Sequence, residues 1–257
     1  METIFKIIEL FKAFLLDIGE LSQFAGRFFK ESIKPPFEFK EFLRQCYYMG
    51  NRSLLLVAVT GFIIGLVFTL QSRPTLQEFG AVSWMPSMVS ISIIREIGPI
   101  ITALICAGRI GSGIGAELGS MRVTEQIDAL EIMGVNSLNH LVLPKIVAAI
   151  LFFPILIIFS MALSMLGGWM SLMISDLTTT ETYVLGLRAF FNPFHITYAL
   201  TKTVVFGFLI VSVSSFYGYY VKGGSINVGK SSTQAVVSSS IAILVANFIL
   251  TQLLLLS

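Results

Sequence analysis

Apolar residues along this chain fall into five long runs, separated by stretches that carry nearly all of its charges. The runs lie at about residues 53–71, 86–108, 145–174, 196–219 and 234–256. A helix needs about 20 predominantly apolar residues to cross the ~30 Å hydrocarbon core of a bilayer, and each run is of that length or longer. The pattern predicts an all-α integral membrane protein, with five transmembrane helices in one domain over residues 51–257.

The N-terminal stretch has a different pattern. Over residues 1–34, apolar side chains recur at helical spacing on one face while charges occupy the other. No part is long enough to span a bilayer, so we predict a helix that lies in the membrane interface; a helix packed on a soluble partner is the alternative. Pro35 and Pro36 end it, and a second amphipathic stretch, 37–48, leads into the membrane. We assign residues 1–50 to these interfacial helices, and their scattered charges argue against a cleaved signal peptide.

Composition supports a membrane protein and excludes other classes. Hydrophobic residues make up 55% of the 257 residues and charged residues only 12%, about half the share usual in a soluble domain. The net charge of +2 is too small to indicate nucleic-acid binding. The two cysteines and two histidines are scattered and form no recognisable metal or disulfide pattern.

Lysine and arginine are distributed unevenly between the two sides of the predicted domain. Thirteen lie before span one or in the loops around 109–145 and 222–230, and three lie on the other side: Arg73, Arg188 and Lys202. Cytoplasmic loops carry the excess of Lys and Arg. The N-terminus is therefore predicted in the cytoplasm and the C-terminus on the opposite, periplasmic side.

Two adjacent charges, Arg95 and Glu96, interrupt the second apolar run. A charge at the centre of a bilayer costs about 3 kcal/mol on insertion scales, so neither side chain should face lipid tails. Neighbouring helical residues point about 100° apart, which places the two poorly for pairing with each other. A polar ligand in a water-filled cavity and a structural ion pair with other residues both remain open. Gly98 and Pro99 weaken the helix directly after the pair.

Small residues recur at every fourth position from Ala103 to Gly119, and Gly61 and Gly65 repeat this spacing in the first run. Such stripes allow close helix packing. The chain then becomes polar but keeps its helical period, which predicts an amphipathic cytoplasmic helix at about residues 112–132. It is either a docking element for a soluble partner or a cap on the loop. Its charged candidates for docking are Glu117, Arg122, Glu125 and Asp128.

Residues 224–231 read GSINVGKS and match the phosphate-binding pattern GxxxxGK[ST] letter for letter. A true phosphate-binding loop joins a buried strand to a helix in an α/β domain, and here the segment joins two membrane helices. We therefore interpret Lys230 as a membrane-surface anchor and not as a nucleotide ligand.

Several motifs in the central and C-terminal parts closely resemble the MlaE/YrbE permease family, the membrane subunits of MCE-type lipid transporters. They are REIGP (95–99), AGRIGSGIGAELGSMRVTEQIDALEIMGV (107–135), LPK (143–145), TKTVVFG (201–207) and SSTQAVVSSSIAIL (231–244). The resemblance covers nearly the whole chain, and the central block is long and unusual.

The resemblance implies a permease subunit of an ATP-driven ABC transporter that moves phospholipid or a related lipid from or to the inner membrane. It implies a homodimer, a cytoplasmic ABC ATPase that grips the 112–132 helix, a periplasmic MCE-domain protein and a small STAS-domain protein as a further candidate partner. ATP and magnesium would be bound by the ATPase, so we expect no cofactor and no catalytic residue in this chain. Family members place lipid-cavity residues at the positions that match Arg95, Glu96 and Lys202.

Two other classes of function stay open as alternatives. An ion-gradient-driven secondary transporter or channel would need an ionisable pathway and usually an inverted repeat, and neither is evident. A membrane scaffold without transport would leave the charges at 95 and 96 unexplained.

Overall fold

The computed structural model describes residues 38–175, 179–189 and 191–255, together with 19–21, 23, 24, 26 and 27. In this part of the chain all regular secondary structure is helical. Five helical runs are long and apolar enough to cross a membrane, and we call them spans one to five: Phe39–Glu78, Val82–Val123, Leu138–Ile174, Pro193–Tyr219 and Ser225–Leu254. The predicted all-α membrane fold with five spans is confirmed.

Most of the predicted interfacial helix, residues 1–34, lies outside the described residues. The described positions between 19 and 27 are helical. Phe24 is buried there, and its ring packs edge-on against Phe216 and Tyr220, with centroids 5.8 and 5.9 Å away. This part of the N-terminal segment therefore packs on the end of span four.

Span one is a single helix of 40 residues, Phe39–Glu78. At 1.5 Å per residue it is about 60 Å long, twice the thickness of the hydrocarbon core, so it extends beyond the membrane. Residues 39–48 of the stretch 37–48, which was predicted as a separate element, form the start of this helix, because no proline separates them from the apolar run that begins at residue 53. Pro74 lies in its last turns.

Spans one and three pack closely through small residues. A Cβ on Gly61 would lie 2.7 Å from the Ser160 hydroxyl oxygen, and one on Gly65 would overlap the Ser164 carbonyl. Gly167 leaves equally little room against span one, and the Ser164 hydroxyl donates to the Gly61 carbonyl at 2.7 Å. The predicted small-residue stripe of span one therefore serves packing within the subunit.

Span two is continuous but changes its helical winding twice. Wide π turns at Ile93–Ile97 and Ala107–Gly111 interrupt the regular helix. The pieces in order are a 3₁₀ turn Val82–Trp84, Met85–Ser92, the first π turn, Gly98–Cys106, the second π turn and Ser112–Val123.

The predicted 112–132 helix is divided in two. Its first half, Ser112–Val123, continues span two, and its second half is a separate short helix, Gln126–Ile132. The chain turns between them at Glu125, which has a left-handed backbone with φ of 59°. We call Gln126–Ile132 the coupling helix.

Span three begins with a third π turn, Leu138–Val142, and continues as the helix Leu143–Ile174 with Pro154 inside it. A further helix, Thr180–Ala189, follows and was not predicted. The hydroxyl of Tyr183 donates to the Met165 carbonyl at 2.8 Å, and burial raises the pKa of Tyr183 to about 12. This helix therefore packs on the end of span three.

The helix of span five, Ser225–Leu255, begins inside the segment that matches the phosphate-binding pattern. Residues 225–231 form its first turns, and Gly223 before it has a positive φ of 97°. A phosphate-binding loop would wrap an anion after a strand, whereas these residues have ordinary helical geometry.

Candidate functional site

Arg95 and Glu96 lie in the first π turn of span two. Proline has no N–H to donate, and its ring clashes with the carbonyl four residues earlier, which for Pro99 is that of Arg95. The backbone widens instead, and Gly98 donates to the Ile93 carbonyl, five residues back. The GP pair predicted to weaken the helix thus reshapes it, and such π turns are frequent at functional sites.

Glu96 and Lys202 form the centre of a buried polar cluster. The ammonium of Lys202 donates to Glu96 Oε1 at 2.7 Å. The Lys202 side chain is fully buried, whereas 37% of the Glu96 side chain is exposed. Lys202 lies nine residues inside span four and Glu96 fourteen inside span two, about 13 and 20 Å along the helices. The pair is therefore at membrane depth, where a carboxylate open on one side needs water, a ligand or another chain.

Three further side chains complete this cluster and were missed from the sequence. Tyr198 donates its hydroxyl to Glu96 Oε1 at 2.8 Å, and Asn247 donates its amide to Oε2 at 3.3 Å. Lys202 also donates to the Thr251 hydroxyl at 2.9 Å. Asn247 and Thr251 are four residues apart on span five and therefore lie on one face of an apolar helix. This spacing was the sequence signal that could have identified them as members of a polar cluster.

Arg95 approaches the same cluster from the side. Its guanidinium carbon lies 5.6 Å from the ring centroid of Tyr198, and the Lys202 ammonium lies 4.3 Å from that centroid. Among the described residues Arg95 has no carboxylate within ion-pair distance. The structure thus brings Arg95, Glu96 and Lys202 together, and their formal charges sum to +1. A cluster of this charge can attract an anionic group such as a phosphate.

The charged residues proposed for docking are largely paired within the chain. Glu117 accepts from the buried ammonium of Lys145 at 2.7 Å. Arg122 donates to Asp128 at 2.5 Å, which ties span two to the coupling helix across the turn. Glu125 is exposed at that turn, and the described residues offer its carboxylate no partner. Only Glu125 of the four is thus presented to a partner with its charge unpaired.

Apolar side chains are exposed beside the coupling helix. Ile132 is 87% exposed and Met133 68% exposed, and Val135 follows after the turn at Gly134. Ile132 is the last residue of the coupling helix, and Met133 and Val135 lie between that helix and span three. The sequence showed their helical period but gave no sign that they would remain uncovered by the described part of the chain.

A hydrogen-bond network joins the coupling helix to span four. Tyr219, the last residue of span four, donates to Glu131 Oε1 at 2.7 Å, and the Ser137 hydroxyl donates to the same oxygen at 2.8 Å. These donors hold the pKa of the Glu131 carboxyl below its ordinary value of 4.5. The Arg122 guanidinium carbon lies 5.8 Å from the Tyr219 ring centroid. The end of span four is therefore tied to both halves of the segment between spans two and three.

Comparison with known proteins shows which family the chain is similar to. The family model described as Permease MlaE matches residues 42–253. A "Probable ABC transporter permease protein" of Rickettsia bellii is 38% identical over 236 residues, covering 92% of this chain and 91% of the relative.

Two further relatives have more specific names. The "Intermembrane phospholipid transport system permease protein MlaE" of Haemophilus influenzae is 32% identical over 215 residues, 82% of each chain. The "Protein TRIGALACTOSYLDIACYLGLYCEROL 1, chloroplastic" of Arabidopsis thaliana is 30% identical over 233 residues, 88% of this chain and 65% of the relative.

Proposed function

The chain belongs to the MlaE permease family, and from that premise we propose that it is the membrane-spanning subunit of an ATP-driven phospholipid transporter. It is a multi-pass membrane permease, and in our proposal two copies form a dimer in the inner membrane. A phospholipid binds in a cavity between them, and a separate cytoplasmic ATPase drives its release to, or uptake from, a periplasmic MCE-domain partner. The small STAS-domain protein stays a further candidate partner.

The exposure of Glu96 beside the buried Lys202 carries this proposal. A carboxylate that is 37% open at membrane depth would be costly against lipid tails. Hydrogen bonds with Asn247 and Thr251 place the Glu96 carboxylate beside span five. This is the least buried of the five spans, since only 11% of its most apolar stretch is buried. A second copy against span five would enclose the cluster in a polar pocket with apolar walls. A phosphate there would meet Arg95 and Lys202, and acyl chains would lie against the surrounding Leu, Ile and Phe side chains.

The exposed surface at the coupling helix supports the proposal that a separate ATPase supplies the energy. Exposed apolar side chains on a surface that water reaches are typical of protein interfaces. Ile132 and Met133 provide such a surface at the end of the coupling helix, with Glu125 one helix length away. Movement of this helix would be passed to span four through Glu131 and Tyr219. We therefore propose that the ATPase, with its ATP and magnesium, docks on the coupling helix, on the cytoplasmic side together with the N-terminus.

A lipid-transport assay on the reconstituted transporter tests the role of the cluster. Replacing Glu96 alone would leave the Lys202 charge buried and unpaired, so the informative variant is Glu96→Gln with Lys202→Gln, which removes both charges together. Arg95→Gln keeps the ion pair and removes the free cation. We expect each to lower the transport rate at least about tenfold, the effect of one charge-assisted hydrogen bond. Thr201→Ala, an exposed neighbour of Lys202, is the matched control.

Lipid capture at the cluster provides an independent readout. A photo-crosslinker at Ile100, one turn from Glu96, should capture phospholipid, and ATP with the ATPase should change the yield. A crosslinker at Ile158, 48% exposed on span three, should capture bulk lipid regardless of ATP. Normal transport by the neutralised variants, with no ATP-dependent capture at Ile100, would show that the cluster is structural. Transport that stops with a proton uncoupler but not with loss of ATP would favour the secondary transporter.

A further inference from the structure

A small cleft between spans one and two is lined by two arginines, and none of the described residues that line it carries a negative charge. It has a volume of about 160 Å³ and is lined by Tyr48, Arg52, Ser53, Arg109 and Ile110. None of these residues belongs to the Glu96 cluster or to the coupling helix. The described residues place no carboxylate within ion-pair distance of either guanidinium, and two uncompensated cations at one cleft attract an anion.

Ser53 is the unusual residue of this cleft. It is 1% exposed, and its hydroxyl oxygen has no hydrogen-bond partner. A serine or threonine inside a helix commonly donates to the carbonyl four residues earlier, as Thr60 and Ser72 of the same helix do at 2.7 and 2.8 Å. An unsatisfied buried hydroxyl is costly, so a native group of this kind is expected to meet a partner that the described residues do not provide.

The geometry of Arg52 fits a held anion. Its guanidinium carbon lies 4.6 Å above the Tyr48 ring, which orients the planar group, and no side chain in the described part of the chain accepts from its N–H donors. Arg109 lies in the second π turn of span two, so it reaches the cleft from the other wall. Two guanidinium groups and one hydroxyl form a donor set typical of a phosphate site.

The surroundings of the cleft indicate a lipid as the source of that phosphate. Arg52 is the last charged residue before the apolar part of span one. An exposed apolar row continues from it along the same helix face, with Leu55 73%, Val59 49% and Ile63 51% exposed. Acyl chains can lie along this row while the head group occupies the cleft. A cleft of about 160 Å³ is large enough for one phosphate group.

We propose that Arg52, Arg109 and Ser53 form a binding site for the phosphate of an anionic glycerophospholipid, separate from the transport cavity. In the orientation proposed above this lipid belongs to the cytoplasmic leaflet; the site itself does not depend on that orientation or on the transport function. The lipid would fix the contact of span one with span two beside the second π turn, from which span two continues towards the coupling helix.

The test is the affinity of the full-length chain for phosphatidylglycerol, measured by native mass spectrometry after purification in mild detergent. Arg52→Gln with Arg109→Gln should weaken binding at least tenfold, and Ser53→Ala should weaken it about threefold, as expected for a single neutral hydrogen bond. Lys40→Gln with Arg44→Gln removes the same charge from exposed positions on the same helix and should leave the affinity unchanged.

Several outcomes would overturn the proposal. They are unchanged affinity in the Arg52/Arg109 variant, equal weakening in the Lys40/Arg44 variant, and displacement of the lipid by millimolar inorganic phosphate, which would indicate a site for the free ion. Loss of the ATPase instead of the lipid would assign the arginines to a protein partner.

If the glutamine variant does not fold, Arg52→Lys with Arg109→Lys keeps the charges but loses the planar fork, and it should weaken binding by a smaller factor. A loss of lipid binding without loss of the Glu96-dependent transport separates this site from the transport cavity.

Discussion

Lys145, near the start of span three, donates its ammonium to the carboxylate of Glu117 in span two at 2.7 Å. The Lys145 side chain is almost fully buried, whereas 42% of the Glu117 side chain is exposed. The pair joins two spans on the side where the coupling helix lies. Glu117 was predicted as a docking residue, and its contact with Lys145 gives it a second role in holding the subunit together.

Replacement of Glu117 should therefore lower stability. Glu117→Gln would leave the Lys145 charge buried with a weaker partner, at a cost of about 2 kcal/mol, less than for a fully buried pair because Glu117 is half exposed. The midpoint of thermal unfolding in detergent should fall. Glu125→Gln removes the same charge where no partner is lost and should leave the midpoint unchanged. Equal midpoints for both variants would contradict the structural role of Glu117.

The exposed apolar surface should bind the ATPase. Ile132→Asp places a charge at an 87% exposed position and should abolish co-purification of the ATPase without changing the thermal midpoint. The control is Ile226→Asp, at a 78% exposed position near the start of span five on the same side of the membrane. If the Ile132 variant retains the ATPase, or the Ile226 variant loses it equally, the docking surface lies elsewhere.

The Tyr219–Glu131 contact should make stability depend on pH. Because the folded pKa of Glu131 is lowered, its contribution is present above the ordinary value of 4.5 and is lost as the pH falls through the folded value. Tyr219→Phe removes one donor and should bring that pKa closer to the ordinary value. The midpoint difference between wild type and variant should be largest near neutral pH, persist down to a pH of about 4.5 and shrink only below that value. A difference that is constant with pH would show that the lost hydroxyl acts without Glu131.

The small-residue stripe of span one should stabilise the subunit and not a dimer. Gly65→Ala would force its Cβ into the Ser164 carbonyl, which cannot move away as the end of a flexible side chain could. We expect a lower midpoint of unfolding, with the dimer fraction of the folded protein unchanged in light scattering. Gly108→Ala has no atom within 4 Å of the new Cβ and is the control. A stable Gly65 variant that dissociates into monomers would place the stripe at the dimer interface.

Part of the candidate site could be predicted because charges inside a membrane are costly. Arg95 and Glu96 are conspicuous in an apolar run, and so is Lys202 near the start of span four. The partners could not be predicted in the same way. Tyr198, Asn247 and Thr251 are tolerated in a membrane helix at lower cost, so their presence in the sequence does not reveal that they satisfy Glu96.

The predicted docking residues show what charge alone leaves open. Glu117, Arg122 and Asp128 were chosen because they are charged, yet the fold pairs all three within the chain. Ile132 is the last residue of the single amphipathic helix predicted at 112–132, and Met133 follows it. The turn at Glu125 divides that helix and leaves their side chains exposed. A helical period in the sequence shows which residues share a face of a helix. A break in the helix decides whether that face is buried or exposed.

The sequence by itself determined that this protein has five spans and which apolar run lies in each, but not how far each helix extends beyond that run. In lipid the backbone must satisfy its own hydrogen bonds, so apolar length translates directly into helices. Only the tertiary structure decided which helix packs on which and which polar groups meet. Glu96 and Lys202 are 106 residues apart, and their contact depends on the relative rotation and height of spans two and four. This rotation and height depend on the packing of small residues and on the π turn before Pro99. The sequence does not reveal them, because an apolar side chain that faces lipid looks the same as one that faces another helix.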